Sequence, residues 1–275
     1  MPQILDFSQS LSQISHLDIR KTAKRITVRI FPKSHEKNYK ASGIIIDKQE
    51  KRIDNKKAYI YLILTNNHVL EGLKKRDNLY QLQTFDDKIY PVFFYPEVNW
   101  NGNDLGLLFF LSSTSYDKAK LGSSNKLREQ DKVFVAGFPC TEANSCLESF
   151  TFTSGQSFIQ LIKQKKHLDS GYQLGFNNQT IEGMSGGPVF DKKGLVIGIN
   201  GRGKYQKVIF RSGHPSIRDI NPLAYMNGDE PSSESQEKFS NFAWAIPIET
   251  YIKYKPENIF DSIKNHSLEN IEKYF

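Results

Sequence analysis

Between residues 26 and 248 this chain is written in short apolar runs, each stopped by Gly, Pro, Asn, Asp or Ser. That punctuation is the signature of antiparallel sheet and leaves little room for long helices. A first series of candidate strands covers Ile26–Phe31, Ser42–Asp47, Ala58–Leu64, Ile89–Tyr95 and Asp104–Leu111. A second covers Lys132–Gly137, Phe150–Thr153, Phe158–Lys163, Tyr172–Gly175, Pro188–Phe190, Leu195–Asn200, Lys207–Phe210 and Phe242–Ile248. The polar, turn-rich stretch Ser112–Gln130 separates the two, and no internal sequence repeat is evident. Periodicity gives an all-β chain of many short strands; how the sheets close it does not say.

Composition excludes several classes. Charged residues make up 24% of the chain, and no apolar run approaches the ~20 residues of a membrane helix. Residues 1–25 lack the apolar block of a secretory leader, and Ile14–Arg25 reads as a short basic helix. The expected location is therefore the cytoplasm, or the periplasm or exterior if a leader has been removed. Cys140 and Cys146 are too few for a disulfide framework. They are expected as two thiols in a reducing compartment, or as one small ring in an oxidising one. They lack partner cysteines or histidines at zinc-like spacing, so no metal is expected. The net charge of +7 is scattered, and its densest group, Lys163–His167, reads as a solvated hairpin tip. With no recognition helix and no aromatic platform, nucleic acid is not an expected partner. A diffuse positive surface would still favour acidic protein substrates. Arg211–Ser240, rich in Pro, Asn, Ser and Glu, reads as an inserted surface loop, either a spacer or a gate. Residues 249–275 read as one or two helices, with Ile252, Ile259, Phe260, Ile263, Leu268, Ile271 and Phe275 along one apolar stripe.

Three motifs carry chemistry. In Glu182-Gly183-Met184-Ser185-Gly186-Gly187-Pro188, glycines flank a serine on both sides, which makes a tight turn with an exposed hydroxyl and inward-aimed N–H groups. Upstream lie Leu64-Thr65-Asn66-Asn67-His68-Val69-Leu70 and Asn103-Asp104-Leu105-Gly106-Leu107. A serine is a poor nucleophile without a base; histidine titrates near neutrality, and an aspartate on its other nitrogen fixes the tautomer. Singly, His68 reads as a packed core histidine, Asp104 as turn chemistry, and the glycine-rich run as a loop. Together, spaced 36 and 81 residues apart, they fit base, orienter and nucleophile. Ser154 is the rival serine, but it lacks the second glycine and the proline.

The order His, Asp, Ser is that of chymotrypsin. On these motifs the chain resembles the trypsin-like serine peptidases of the chymotrypsin superfamily, in the disulfide-poor bacterial branch of Deg/HtrA-type and glutamyl endopeptidases. Met184 stands where many members carry Asp or Asn. Val135–Pro139 resembles the opening strand of that family's second barrel, Val196–Gly201 the strand beside the substrate, and Phe242–Pro247 the last strand. The resemblance implies two six-stranded antiparallel β-barrels with short N- and C-terminal helices. The segments would be residues 1–25 (helical), 26–120 (first barrel, His68 and Asp104), 121–250 (second barrel, Ser185) and 251–275 (helix). It implies an oxyanion hole from the N–H groups of Gly183 and Ser185. It places the substrate pocket at Gln179, Thr180, Glu182, Asn200, Gly201, Arg202 and Gly203. Trypsin-like enzymes carry Asp at the position of Gln179, so Lys/Arg preference is not expected. Glutamyl endopeptidases carry Thr and His at the positions of Thr180 and Asn200, of which only the Thr is present. A polar or acidic residue before the scissile bond is the resulting expectation.

The reading is a serine endopeptidase working on peptide or protein substrates without a cofactor, restrained by a regulatory protein partner or held latent. A catalytically silent peptide-binding module on the same fold is the alternative.

Overall fold

The computed structural model describes residues 14–33, 41–53, 56–74, 80–95, 98–140, 149–204 and 223–263. After helix α1 (His16–Ile26) come β1 (Thr27–Pro32), β2 (Ala41–Ile53), β3 (Lys56–Thr65), helix α2 (Asn67–Lys74), β4 (Tyr80–Gln83), β5 (Ile89–Phe94) and β6 (Gly106–Ser112). These six strands close into an antiparallel barrel in the order β1-β2-β3-β6-β5-β4. The second set is β7 (Lys132–Gly137), β8 (Thr151–Phe158), helix α3 (Gln160–Gln164), β9 (Leu174–Phe176), β10 (Pro188–Phe190), β11 (Val196–Arg202), helix α4 (Ser233–Ser240) and β12 (Ala243–Pro247), followed by helix α5 (Ile248–Tyr254). Its strands close as β7-β8-β9-β12-β11-β10, the same order as the first barrel. The repeat that the sequence hides is present in the topology. Two closed six-stranded antiparallel barrels are the chymotrypsin-like fold.

The apolar runs fold as they do because several strands are buried on both faces. Ile45, Ile63 and Leu108 point into the first barrel with Tyr61 and Phe110. Their neighbours Ile44, Leu62, Leu64 and Leu107 join a cluster that draws Ile19 and Ala23 from α1, Tyr251 from α5, and Phe134, Phe190 and Trp244 from the second barrel. Met184 packs in the second barrel with Val135, Leu174 and Val189.

Three expectations need correcting. Phe158–Lys163 is not a strand: β8 ends at Phe158, and α3 follows with Leu161 buried. The Ser/Glu-rich stretch is helical, since Ser232 caps α4 by accepting the Ser235 N–H at 3.3 Å. That helix buries Phe239, whose carbonyl accepts the Trp244 Nε1–H at 3.2 Å. Ile252 is exposed, whereas Ile259 and Ile263 are buried. Of the two states expected for the cysteines, Cys140 is in the disulfide-bonded one. The other cysteine of the chain, Cys146, lies outside the described residues, as do Lys207–Phe210, Leu268, Ile271 and Phe275.

Candidate active site

The first barrel presents His68 in the opening turn of α2, directly after β3. N–H groups at a helix start have no partner within the helix. Here Asp104 supplies one: its Oδ1 accepts the His68 backbone N–H at 2.8 Å. Its Oδ2 lies 2.6 Å from His68 Nδ1. One carboxylate thus holds both the backbone and the ring of the histidine, and the helix start favours its negative charge. Asp104 itself is fixed from three sides. Its N–H donates to Ser170 O at 2.9 Å, its carbonyl accepts Asn66 Nδ2–H at 2.9 Å, and its Oδ2 accepts the Tyr172 hydroxyl at 2.5 Å. Ser170 and Tyr172 belong to the second barrel, so the aspartate is clasped across the interface. The Asp104 side chain is 11% exposed and that of His68 45%, so the ring is open to an incoming molecule while its orienter is not.

The second barrel presents Ser185 on the turn before β10. Gly183 and Gly186 both have positive φ, +89° and +84°. A Cβ on Gly186 would lie 2.1 Å from Ser42 O, and one on Gly183 would lie 2.6 Å from Phe138 O, so the turn admits only glycine there. Peptide planarity then aims the N–H groups, because the carbonyl and N–H of one trans peptide point oppositely. The Glu182 carbonyl is held by Cys140 N–H at 2.6 Å, which turns the Gly183 N–H the other way. The Met184 carbonyl is held by Gly187 N–H at 3.1 Å and Asn200 Nδ2–H at 2.8 Å, which does the same for the Ser185 N–H. Neither N–H finds an acceptor among the described residues. Ser42, from β2, ties this turn to the first barrel. Its N–H donates to Ser185 O at 2.9 Å and its hydroxyl to Gly183 O at 2.8 Å.

The Ser185 hydroxyl rests on Gly201 O at 3.4 Å, not on the His68 ring. Of the other expected residues, Gln179, Glu182 and Gly203 are exposed, and Thr180, Gly201 and Arg202 are half-buried. The Thr180 hydroxyl oxygen is buried with no hydrogen-bond partner among the described residues. Asn200 is buried, and its Nδ2–H donates to the Met184 carbonyl behind the serine at 2.8 Å. It props the Ser185 turn.

Sequence reasoning missed Tyr172, Ser42 and Asn66. Asn66 stood inside a quoted motif without a role. Ser42 and Tyr172 carry no local signal, since a serine in a strand and an aromatic before one both read as packing.

The profile of the trypsin-like peptidase domain family matches residues 41–199, more than half of the chain. With two closed barrels and this arrangement between them, the chain belongs to the trypsin-like serine peptidases, and its likenesses are of the Deg/HtrA type. One is the serine protease Do-like HtrB of Bacillus subtilis, 30% identical over 172 residues, which are 58% of this chain and 32% of that protein. The chain thus spans about a third of that relative's length. Among solved structures, the serine endoprotease from Yersinia pestis superposes with a TM-score of 0.56 at 17% identity, over 91% of this chain and 67% of that one. An HtrA-type protease, AlgW, solved with a tripeptide gives 0.57 at 18%, over 92% and 64%.

Proposed function

We propose that the chain is a serine endopeptidase in which Ser185 attacks, His68 is the general base and Asp104 orients it. The observation that carries this is the doubly held His68 on the first barrel and, on the second, the N–H groups of Gly183 and Ser185, which lack acceptors among the described residues. Ser185 Oγ turns from Gly201 O to His68 Nε2 and gives up its proton as it bonds to the substrate carbonyl carbon. The carbonyl oxygen becomes an anion received by the two N–H groups. His68, now protonated, passes its proton to the leaving amine as the peptide C–N bond breaks, and an acyl-enzyme remains. Water, deprotonated by His68, then attacks the acyl carbon; the bond to Ser185 Oγ breaks, Oγ takes the proton back from His68, and the acid leaves. Preorganised donors of this kind typically supply about 3 kcal/mol each, and general-base help about 10²–10⁴-fold.

The extended peptide would run along the backbone after Asn200, adding a strand without strong sequence demand. Its N–H would take Gly201 O and so release the Ser185 hydroxyl to His68. The resting position of that hydroxyl favours, as a second reading, a form that is idle until a peptide or a regulatory protein arrives. The unpartnered Thr180 hydroxyl supports a polar or acidic residue before the scissile bond; a cleavage profile dominated by Lys, Arg or large aromatics would contradict this.

A fluorophosphonate probe tests the nucleophile. The wild type is expected to be labelled at Ser185 and Ser185→Ala to stay unlabelled. Equal labelling of the two would refute the assignment, and peptide affinity without turnover in both would identify a silent binding module.

A further inference from the structure

We propose that Tyr172 is a positioning residue for this chemistry, the donor that fixes the Asp104 carboxylate, and that residue 201 is glycine because the Tyr172 hydroxyl fills the space of its side chain. The inference rests on the proposed roles of His68, Asp104 and Ser185.

Three observations meet at one point. First, the Tyr172 hydroxyl donates to Asp104 Oδ2 at 2.5 Å, the same oxygen that faces His68 Nδ1 at 2.6 Å. Second, the residue two before Tyr172 also holds Asp104: Ser170 O accepts its N–H at 2.9 Å. One short segment of the second barrel therefore grips the aspartate by backbone and side chain. Third, a Cβ on Gly201 would lie 2.3 Å from the Tyr172 hydroxyl oxygen and 2.9 Å from both side-chain polar atoms of Asn66. No real Cβ sits that close. A side chain at 201 and the hydroxyl of Tyr172 are therefore alternatives for one site beside the carboxylate.

The hydroxyl suits the task because it stays a donor. Tyr172 is 4% exposed. Burial pushes its phenol well above the ordinary tyrosine value, and the Asp104 carboxylate pushes the same way. The charged groups that face it are Asp104, Arg202 and Asp169, of which Arg202 alone pulls downward. A protonated donor on Oδ2 shares the negative charge that would otherwise fall wholly on the His68 contact. Removing it should throw more of that charge onto the His68 contact and leave the Asp104 carboxylate held by one side-chain partner fewer. A tyrosine that merely satisfied its own hydroxyl would affect stability and leave proton transfer alone.

The test compares wild type, Tyr172→Phe, Gly201→Ser and the double variant in peptide hydrolysis, with folding checked by circular dichroism. Tyr172→Phe should lower kcat by about tenfold or more, as for a lost hydrogen bond to a charged group, with KM changed less than about twofold. The acid limb of its kcat/KM profile should move to higher pH. Gly201→Ser alone should also lose activity, because the new side chain meets the phenol. The double variant should recover part of kcat and bring the acid limb back, the introduced hydroxyl taking the vacated place. Wild-type kcat and pH profile in Tyr172→Phe would overturn the proposal, as would a double variant no better than the worse single one. If the wild type itself neither hydrolyses peptides nor takes the probe, the proposed function fails separately. The His68 ring N–H resonance in ¹⁵N-histidine-labelled protein then still decides: a shift in Tyr172→Phe supports positioning, and an unmoved signal refutes it.

Discussion

Ser42 Oγ in the first barrel donates to the Gly183 carbonyl in the second at 2.8 Å and, in the same buried place, accepts the Phe138 N–H at 2.9 Å. One hydroxyl therefore joins β2, the end of β7 and the Ser185 turn. Ser42→Ala would leave a carbonyl and an N–H unpaired away from water. The expected cost is about 2 kcal/mol of unfolding free energy, read as a lower urea midpoint. Slower fluorophosphonate labelling of the folded protein should accompany it. A midpoint and labelling rate equal to wild type would show that the turn does not depend on this clip.

Gly183→Ala should be more damaging to chemistry than to the fold. The residue sits at φ +89°, and the added methyl carbon would come within 2.6 Å of Phe138 O and 2.8 Å of Cys140 N. The turn must shift, and with it one of the two proposed anion donors. Turnover should fall by roughly 10²-fold or more, with the sheet spectrum retained. Full turnover would mean that the Gly183 N–H takes no part.

Alkaline pH should weaken the fold through buried tyrosines, Tyr172 and Tyr251 among them. Burial raises the phenols of Tyr172 and Tyr251, with the carboxylates of Asp104 and Asp47 respectively adding to it. In the unfolded chain both ionise near pH 10. A raised folded-state value means that the folded protein holds these protons where the unfolded chain has lost them. The associated stability is complete below about pH 10 and is lost as pH rises toward the folded values. Urea midpoints should therefore drop between pH 10 and 11, less steeply in Tyr172→Phe or Tyr251→Phe. A flat profile in the wild type would contradict the burial of these phenols.

Reduction should reach the site through Cys140. Its N–H holds the Glu182 carbonyl at 2.6 Å, and that carbonyl belongs to the peptide whose other end is the Gly183 N–H. Cys140 is disulfide-bonded, so cutting that bond is expected to loosen the residue that carries this donor. Fluorophosphonate labelling of wild type should slow on reduction, while Cys140→Ser should be slow in either condition. Identical rates with and without reductant in the wild type would show that backbone packing alone sets the peptide.

The residues legible in the sequence were those whose type and spacing are dictated by chemistry. His68, Asp104 and Ser185 stand in readable motifs because their neighbours are constrained too: the Thr65 hydroxyl donates to Ser42 O at 2.9 Å, and a Cβ on Gly106, Gly186 or Gly187 would strike Leu70, Ser42 O or Ala136 O. Strands buried on one or both faces, such as β3 and β6, were also legible as apolar runs. Short elements were not. β4 has four residues and alternates Tyr and Leu with Gln, which gives too little signal to separate it from loop. α3 was taken for strand because Phe158, Ile159, Leu161 and Ile162 form an apolar run that fits either period. Asn200 was placed in the substrate pocket because resemblance gives a position, whereas its hydrogen bond to Met184 O depends on coordinates. Tyr172 was invisible for a related reason: it meets Asp104 only after two barrels have docked.

That docking has a further consequence. Ser42 to Ser185, Ser42 to Gly183, Asp104 to Ser170 and Tyr172 to Asp104 all bridge the two halves of the molecule. Each half also has an interior of its own. A slight loosening of the seam would pull Asp104 and the Ser185 turn out of place while both halves kept their shape. On heating, turnover should vanish several degrees before ellipticity does, and return on cooling.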